Sequence, residues 1–317
     1  MVRIATRAEE LGYHQVWTFQ RLLYPVGHEM GPVYRAVHDP VVTLAYLAGV
    51  TTSIRLGVAV LNMPFFSPPL LAKQLATLQT VSGGRLTAGL GLGWMPEEFT
   101  ASGVDIAARG ARGEEYVGLL RTLWSADVAE HEGRFYRLPA SHQDPKPDPA
   151  PPILLGGTAE VALRRAGRLA DGWVTSSRED LTRIDERAAV VRQAAREAGR
   201  DPDAVEIVCR GVTRFAPAGR PDRRPLTGSY EEIRADVADL AARGSPRSST
   251  TSTSTPRSSP PAATPRSRCA APRRPWRRSP PAPEPDQRMV RTAAPSPGRR
   301  PGRTGRGRPP RTGTAWW

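Results

Sequence analysis

Cysteine is nearly absent: Cys209 and Cys269 are the two in 317 residues. They fall in compositionally different parts of the chain, so no disulfide framework is implied, and a reducing cytoplasm fits. Long apolar runs are also missing. None reaches the roughly 20 residues a membrane helix needs, and the N-terminus has no signal-peptide core. The histidines (His14, His28, His38, His131 and His142) have no metal-ligand spacing, and no HExxH, nucleophile triad or paired-cysteine site occurs. His28 or His38 could reach a substrate from a loop; each reads more simply as solvated or structural.

Lysine, leucine and isoleucine are absent from Gly244 to Trp317, where the acids are Glu284 and Asp286 alone. The same stretch holds 16 arginines and 16 of the 33 prolines. It therefore carries the whole formal +14, leaving residues 1–243 neutral. Such a segment buries too little apolar surface to offset its ordering entropy. A disordered Arg/Pro/Ser/Thr-rich tail over 244–317 is expected, behind one large domain over 1–243. Arginine without interleaved aromatics gives electrostatics only, so a nucleic-acid-binding protein is the weaker reading, and no specific nucleic acid or membrane partner is expected.

What is present in 1–243 is alternation. VRIATRAEELGY spaces Ile4, Ala8 and Leu11 on one helical face and stops at Gly12. HQVWTFQ reads as a strand. DPVVTLAYLAGV reads as a helix capped by Asp39, with Pro40 at its first position. SIRLGVAVLNMP is a strand stopped by Pro64, and the next helix ends on Gly83–Gly84. RLTAGLGLGW is a strand with Gly89, Gly91 and Gly93 at alternate positions. A helix over 112–125, a hairpin around AEHEGRFYRL and a proline-rich crossing follow. Strands ILLGG, DGWVTSS and AVEIVCRGVTRFA then alternate with helices, ending on SYEEIRADVADLAARG. Six strands with helical crossovers predict a parallel α/β sheet.

A (β/α)8 barrel needs eight strands, and the missing first and last would be neighbours. Ser248 to Thr255 reads SSTTSTST. With TCN serine and ACN threonine codons, a one-base shift turns each serine apolar and each threonine polar, much of it strand-like alternation where the eighth strand is due. Either the fold is not a barrel, or the chain is damaged at both ends and exposes apolar surface. The expectation from the tail is a frameshift near Gly244, with a genuine disordered basic tail as the plain alternative.

The blocks AEELGYHQVWTFQRLLYP, DPVVTLAYLAGVTTSIRLGVAVLNMPFFSPPLLAKQLATLQTVSGGRLTAGLGLGW, RGARGEEY, LLRTLW and PPILLGGTAEVALRRAGRLADGW resemble the bacterial luciferase-like monooxygenase superfamily, in its coenzyme F420-dependent branch. The resemblance implies a (β/α)8 TIM barrel with the cofactor at the carboxyl ends of the strands. It implies an F420-dependent oxidoreductase moving a hydride between a reduced deazaflavin and a small organic molecule; an FMN-dependent monooxygenase and an inactive truncated product are the alternatives. A homodimer is compatible with it.

Free N–H groups at a helix start attract an anion, and LLGGT supplies glycines that let it come close. The resemblance places the cofactor phosphate there, on Gly156, Gly157 and Thr158; the plain alternative is a turn with Thr158 as cap. It also implies a non-prolyl cis peptide at the end of VLNMP, assigned by position to Asn62–Met63. GLGLGWMP lacks the spacing of a dinucleotide fingerprint and continues into Pro96. Gly91, Gly93 and Trp94 are instead expected to leave room for the cofactor and wall it, with Gly89 relieving core crowding. Trp17 and Arg21 sit where the family often has a polar pair, giving candidate substrate contacts, with core packing the simpler role for Trp17. Arg164, Arg165 and Arg168 read as a solvated face.

Overall fold

The computed structural model describes residues 1–243 and the backbone of 249–254. Helix α1 (Val2–Glu10) precedes β1 (Gln15–Thr18), α2 (Pro40–Ala48), β2 (Arg55–Asn62), α3 (Pro68–Val81) and β3 (Leu86–Gly91). Then come α4 (Pro96–Ala101), α5 (Arg109–Ser125) and the antiparallel hairpin β4 (Ala129–Glu132) and β5 (Arg137–Ser141). The chain continues through β6 (Ile153–Gly156), α6 (Glu160–Leu169), β7 (Gly172–Val174), α7 (Ile184–Glu197) and β8 (Glu206–Phe215). It ends with β9 (Thr227–Gly228), α8 (Tyr230–Arg243) and β10 (Ser249–Ser254).

Local chemistry sets these boundaries. Asp39 accepts from Val42 N at 2.9 Å and Pro40 opens α2, as expected. Gly12, Gly83 and Gly84 all have positive φ just past helix ends. The six expected strands are β1, β2, β3, β6, β7 and β8. They form a parallel path in the order β1-β2-β3-β6-β7-β8-β10, with β9 a two-residue side branch on β8.

Two expectations change. Ser249–Ser254, read as part of a disordered tail, forms a seventh parallel strand, pairing Ser249 with Val208 through Ser254 with Thr213. The edge of β8 presents unpaired N–H and C=O groups, and β-branched threonine suits a pleated strand. Residues 244–248 and 255–317, with the rest of the tail and its reading frame, lie outside the described residues. Among the described residues no strand pairs with the outer edges of β1 and β10. The second change concerns α1. The face carrying Ile4 and Leu11 is the exposed one, at 73% and 57%, and Ala5 is the buried residue.

The core divides in two. The larger part lies between the sheet and its helices and includes Leu44, Leu71, Leu75, Tyr116, Leu120 and Leu163, all at most 1% exposed. The smaller part lies on the opposite, concave face: Ala59, Leu154, Val174 and Val208, with Trp17 and Val60 against them. That face positions the candidate site.

Candidate active site

The floor of the site comes from an irregularity in β2. Val58 pairs with Ala88 and Leu61 with Leu90, so three residues of β2 oppose two of β3. Side chains alternate along a strand, and an extra residue shifts the phase. Val58 and Leu61 accordingly face the helices, while Ala59 and Val60 both turn to the concave face. The Ala59–Val60 peptide is cis. This corrects the assignment to Asn62–Met63: the irregularity lies inside the strand, not at its end. Asn62 is 8% exposed, and its N–H donates to Gln20 Oε1 at 2.8 Å. Met63 belongs to the helix-side core.

Glycines on the neighbouring strands accommodate this bulge. A Cβ at Gly89 would lie 2.1 Å from the Val58 carbonyl oxygen, and one at Gly91 would lie 2.5 Å from Val60 Cγ2. Across β6, a Cβ at Gly156 would lie 3.1 Å from Val60 Cγ1. So Gly89 makes way for the Val58 carbonyl, while Val60 fills the space that Gly91 and Gly156 give up.

The rim joins β1 to β3. Gly93 has φ +71°, and a Cβ there would approach the Phe99 ring at 2.9 Å. Beyond it Trp94 is 58% exposed, with the Arg21 guanidinium 5.0 Å from its ring centroid. Arg21 is itself 8% exposed at its side chain and pairs with the buried Glu98 at 3.1 Å. Glu98 also accepts from the N–H groups of Leu22 and Leu23. Arg21 thus acts as a clasp between the β1 end and α4. His28 pairs with Glu97 at 3.0 Å, and His38 is exposed.

At the β6–α6 turn Gly157 has φ +148°, and its carbonyl accepts from Trp173 Nε1 at 2.9 Å. Among the described residues, no protein acceptor meets the backbone N–H of Gly157, Thr158 or Ala159. Thr158 is exposed and makes no cap; the N-cap is Ala159, without a side-chain bond. The Thr158 carbonyl accepts from Arg187. The turn is fixed from behind and leaves a row of donors open.

The concave face opens into a cavity of about 1170 Å³, lined in part by Trp17, Thr18, Phe19, Ala59 and Arg210. Trp17 packs on Ala59, and Gly57 leaves the space its ring occupies. The Arg210 N–H donates to Thr175 Oγ1 at 2.8 Å. Burial draws the Arg210 guanidinium below its ordinary pKa, against the opposing field of Tyr34. Among the described residues, no group of three or more His, Cys, Asp or Glu side chains could hold a metal.

Residues 1–244 match the family model described as luciferase-like monooxygenase. The chain belongs to that family. Relatives within it differ in cofactor. An F420-dependent glucose-6-phosphate dehydrogenase of Amycolatopsis mediterranei is 32% identical over 56% of this chain and 53% of its own. An FMNH2-dependent dimethylsulfone monooxygenase of Pseudomonas putida is 31% identical over 66% and 54%. The chain thus spans about half the length of each. A solved F420-dependent secondary alcohol dehydrogenase shares the fold, with a TM-score of 0.69 at 17% identity over 80% of this chain and 88% of that one.

In this luciferase-like chain the expected residues divide by position. Gly156, Gly157 and Thr158 form the open turn; Gly91 and Asn62 border the floor; Gly93, Trp94 and Arg21 make the rim; Trp17 lines the cavity. Met63 is elsewhere. Arg165 is also no part of a solvated face: its side chain is 10% exposed and pairs with Glu114 at 3.0 Å. Sequence reasoning missed Val60, Gln20, Trp173 and Arg210. The phase of β8 carried a signal for Arg210, which lies two positions after the inward Val208.

Proposed function

We propose that this chain is an F420-dependent oxidoreductase, working on a small organic substrate in a reducing cytoplasm. The observation that carries this reading is the row of open N–H donors at Gly157, Thr158 and Ala159, beside the Val60 floor. Such donors at a helix start suit a cofactor phosphate. Gly156 is the residue that connects the two parts, since any larger side chain there would meet Val60. The F420-dependent relative and the F420-dependent fold neighbour support the choice of cofactor.

A reduced deazaflavin supplies the hydride when bound, so few reactive side chains are required. On this reading Ala59, Val60 and Trp94 would hold the ring. The Gly157 turn anchors its phosphate, with Trp173 and Arg187 keeping the turn's own carbonyls occupied. No helix among the described residues is long and apolar enough to cross a membrane.

The test is titration of the purified full chain with F420 and, separately, with FMN, followed by absorbance and fluorescence. F420 is expected to bind, and Gly157→Ala to weaken it about tenfold or more, because its Cβ would press on Ala162 and strain the left-handed turn. FMN binding with no F420 binding would move the chain to the monooxygenase side of the family, as in the FMNH2-dependent relative.

A further inference from the structure

Arg210 lies within β8, and its direction follows from strand geometry. Val208 belongs to the concave-face cluster, and a period of two puts Arg210 on the same face, one step nearer the carboxyl end of the strand. Its side chain reaches the cavity beside Trp17, Phe19 and Ala59. Three other arginines held inside this fold have acceptors, whereas Arg192 has a buried Nε without one. Arg21 has Glu98, Arg165 has Glu114, and Arg85 has the carbonyls of Ala48, Thr51, Ser82 and Ile54 with the Thr51 hydroxyl.

Among the described residues, no carboxylate lies within ion-pair distance of the Arg210 guanidinium. The one acidic residue lining this cavity is Glu10, which pairs with Arg7. Tyr34, packed edge-to-face on Phe19, brings a hydroxyl and no carboxylate. The guanidinium therefore lines the cavity with no protein carboxylate beside it, and an anion entering the cavity would supply the counter-charge.

We propose that Arg210 receives the carboxylate of a small substrate whose apolar body rests against Trp17 and Phe19. A single guanidinium matches one planar carboxylate through two parallel N–H bonds. Arg3, Arg7 and Arg234 also line this cavity, Arg7 being paired with Glu10, and the aromatic surface of Trp17 and Phe19 suits an anion with an apolar body. The proposal rests on the reading of this face as the reaction site and names its substrate class, but the contact it describes needs no cofactor.

The experiment is calorimetric titration of the cofactor-free full chain with benzoate and with benzamide, which has the same shape without the charge. Benzoate is expected to bind about tenfold more tightly, the discrimination of a site left with an unpaired charge when the neutral analogue enters. Arg210→Met is expected to bring the two within about twofold, and Arg210→Lys to fall between, having a point charge without the fork. Equal binding of both molecules by the unaltered chain overturns the proposal, and so does a preference that survives in Arg210→Met. Should Arg210→Met fail to fold, the unaltered chain and Arg210→Lys still decide it, since a lysine variant with undiminished preference also counts against it. Loss of F420 and FMN binding would remove the oxidoreductase reading and leave the benzoate result standing; the reverse pattern removes only this assignment.

Discussion

Val60 occupies volume that Gly91 and Gly156 leave free, and the distances make the exchange testable. Gly91→Ala alone puts a methyl 2.5 Å from Val60 Cγ2, far inside van der Waals contact. Overpacking of this kind costs about 1–3 kcal/mol. Removing the opposing methyls with Val60→Ala is expected to recover most of it, so the pair should be non-additive by more than about 0.5 kcal/mol in urea-unfolding midpoints. Strictly additive effects would show that the two side chains do not compete for one space. The glycines are legible in the sequence as an anomaly, because three at alternate positions weaken a strand. Their reason is not legible there. It depends on which way Val60 points, and that depends on a phase shift that no propensity records.

At the scale of elements, short contacts tie helix ends to strand starts. Glu9, on α1, accepts from the N–H groups of Thr52, Ser53 and Ile54 just before β2. These backbone bonds lower its pKa to about 2. A carboxyl depressed in the folded state adds stability above its unfolded value, and that stability is lost as pH falls through the folded value. The Glu9→Gln variant should therefore melt below the unaltered chain at pH 7, with the gap narrowing as pH falls from about 4.5 toward 2. A gap constant with pH would mean that the charge plays no part in the tie. Elements of ordinary length are largely readable in the sequence. Asp39 and Pro40 mark α2, Gly83–Gly84 end α3, and the apolar runs of β2, β3 and β8 stand out between turn residues. The short pieces do not stand out: α4 opens at Pro96 and lasts six residues, and β10 contains no apolar residue. Arg210 is hidden for a related reason, since an arginine in CRGVTR looks like a solvent-facing strand position until the phase of β8 is known.

At the scale of the molecule, the described residues present an apolar seam between α1 and α8. Ile4, Leu11, Tyr13, Phe215, Tyr230 and Val237 are each at least 37% exposed, and all line the cavity that Arg210 enters. Contiguous apolar surface of this kind binds hydrophobic dyes and favours association. The full chain is expected to enhance and blue-shift ANS fluorescence under native conditions, and Leu11→Ser with Phe215→Ser to reduce the signal by about half. No enhancement would mean that the seam is covered. The barrel family can be read from separated sequence blocks because helix faces and strand runs are local. The state of the seam cannot, because it depends on pairing between distant parts of the chain.

The extra residue in β2 has a consequence for how such chains are compared. An alignment that scores each column by itself sees a valine in one place and glycines in two others. The geometry makes them a single unit of shared volume: what one strand gains, its neighbours must give up. If positions 60, 91 and 156 were randomised together and selected for folding, the survivors should show anti-correlated side-chain size, with bulk at any one position excluding bulk at the others. A break in hydrophobic phase, next to a strand that has lost its side chains on one face, is therefore a signature that can be sought in the amino-acid sequences of other barrels.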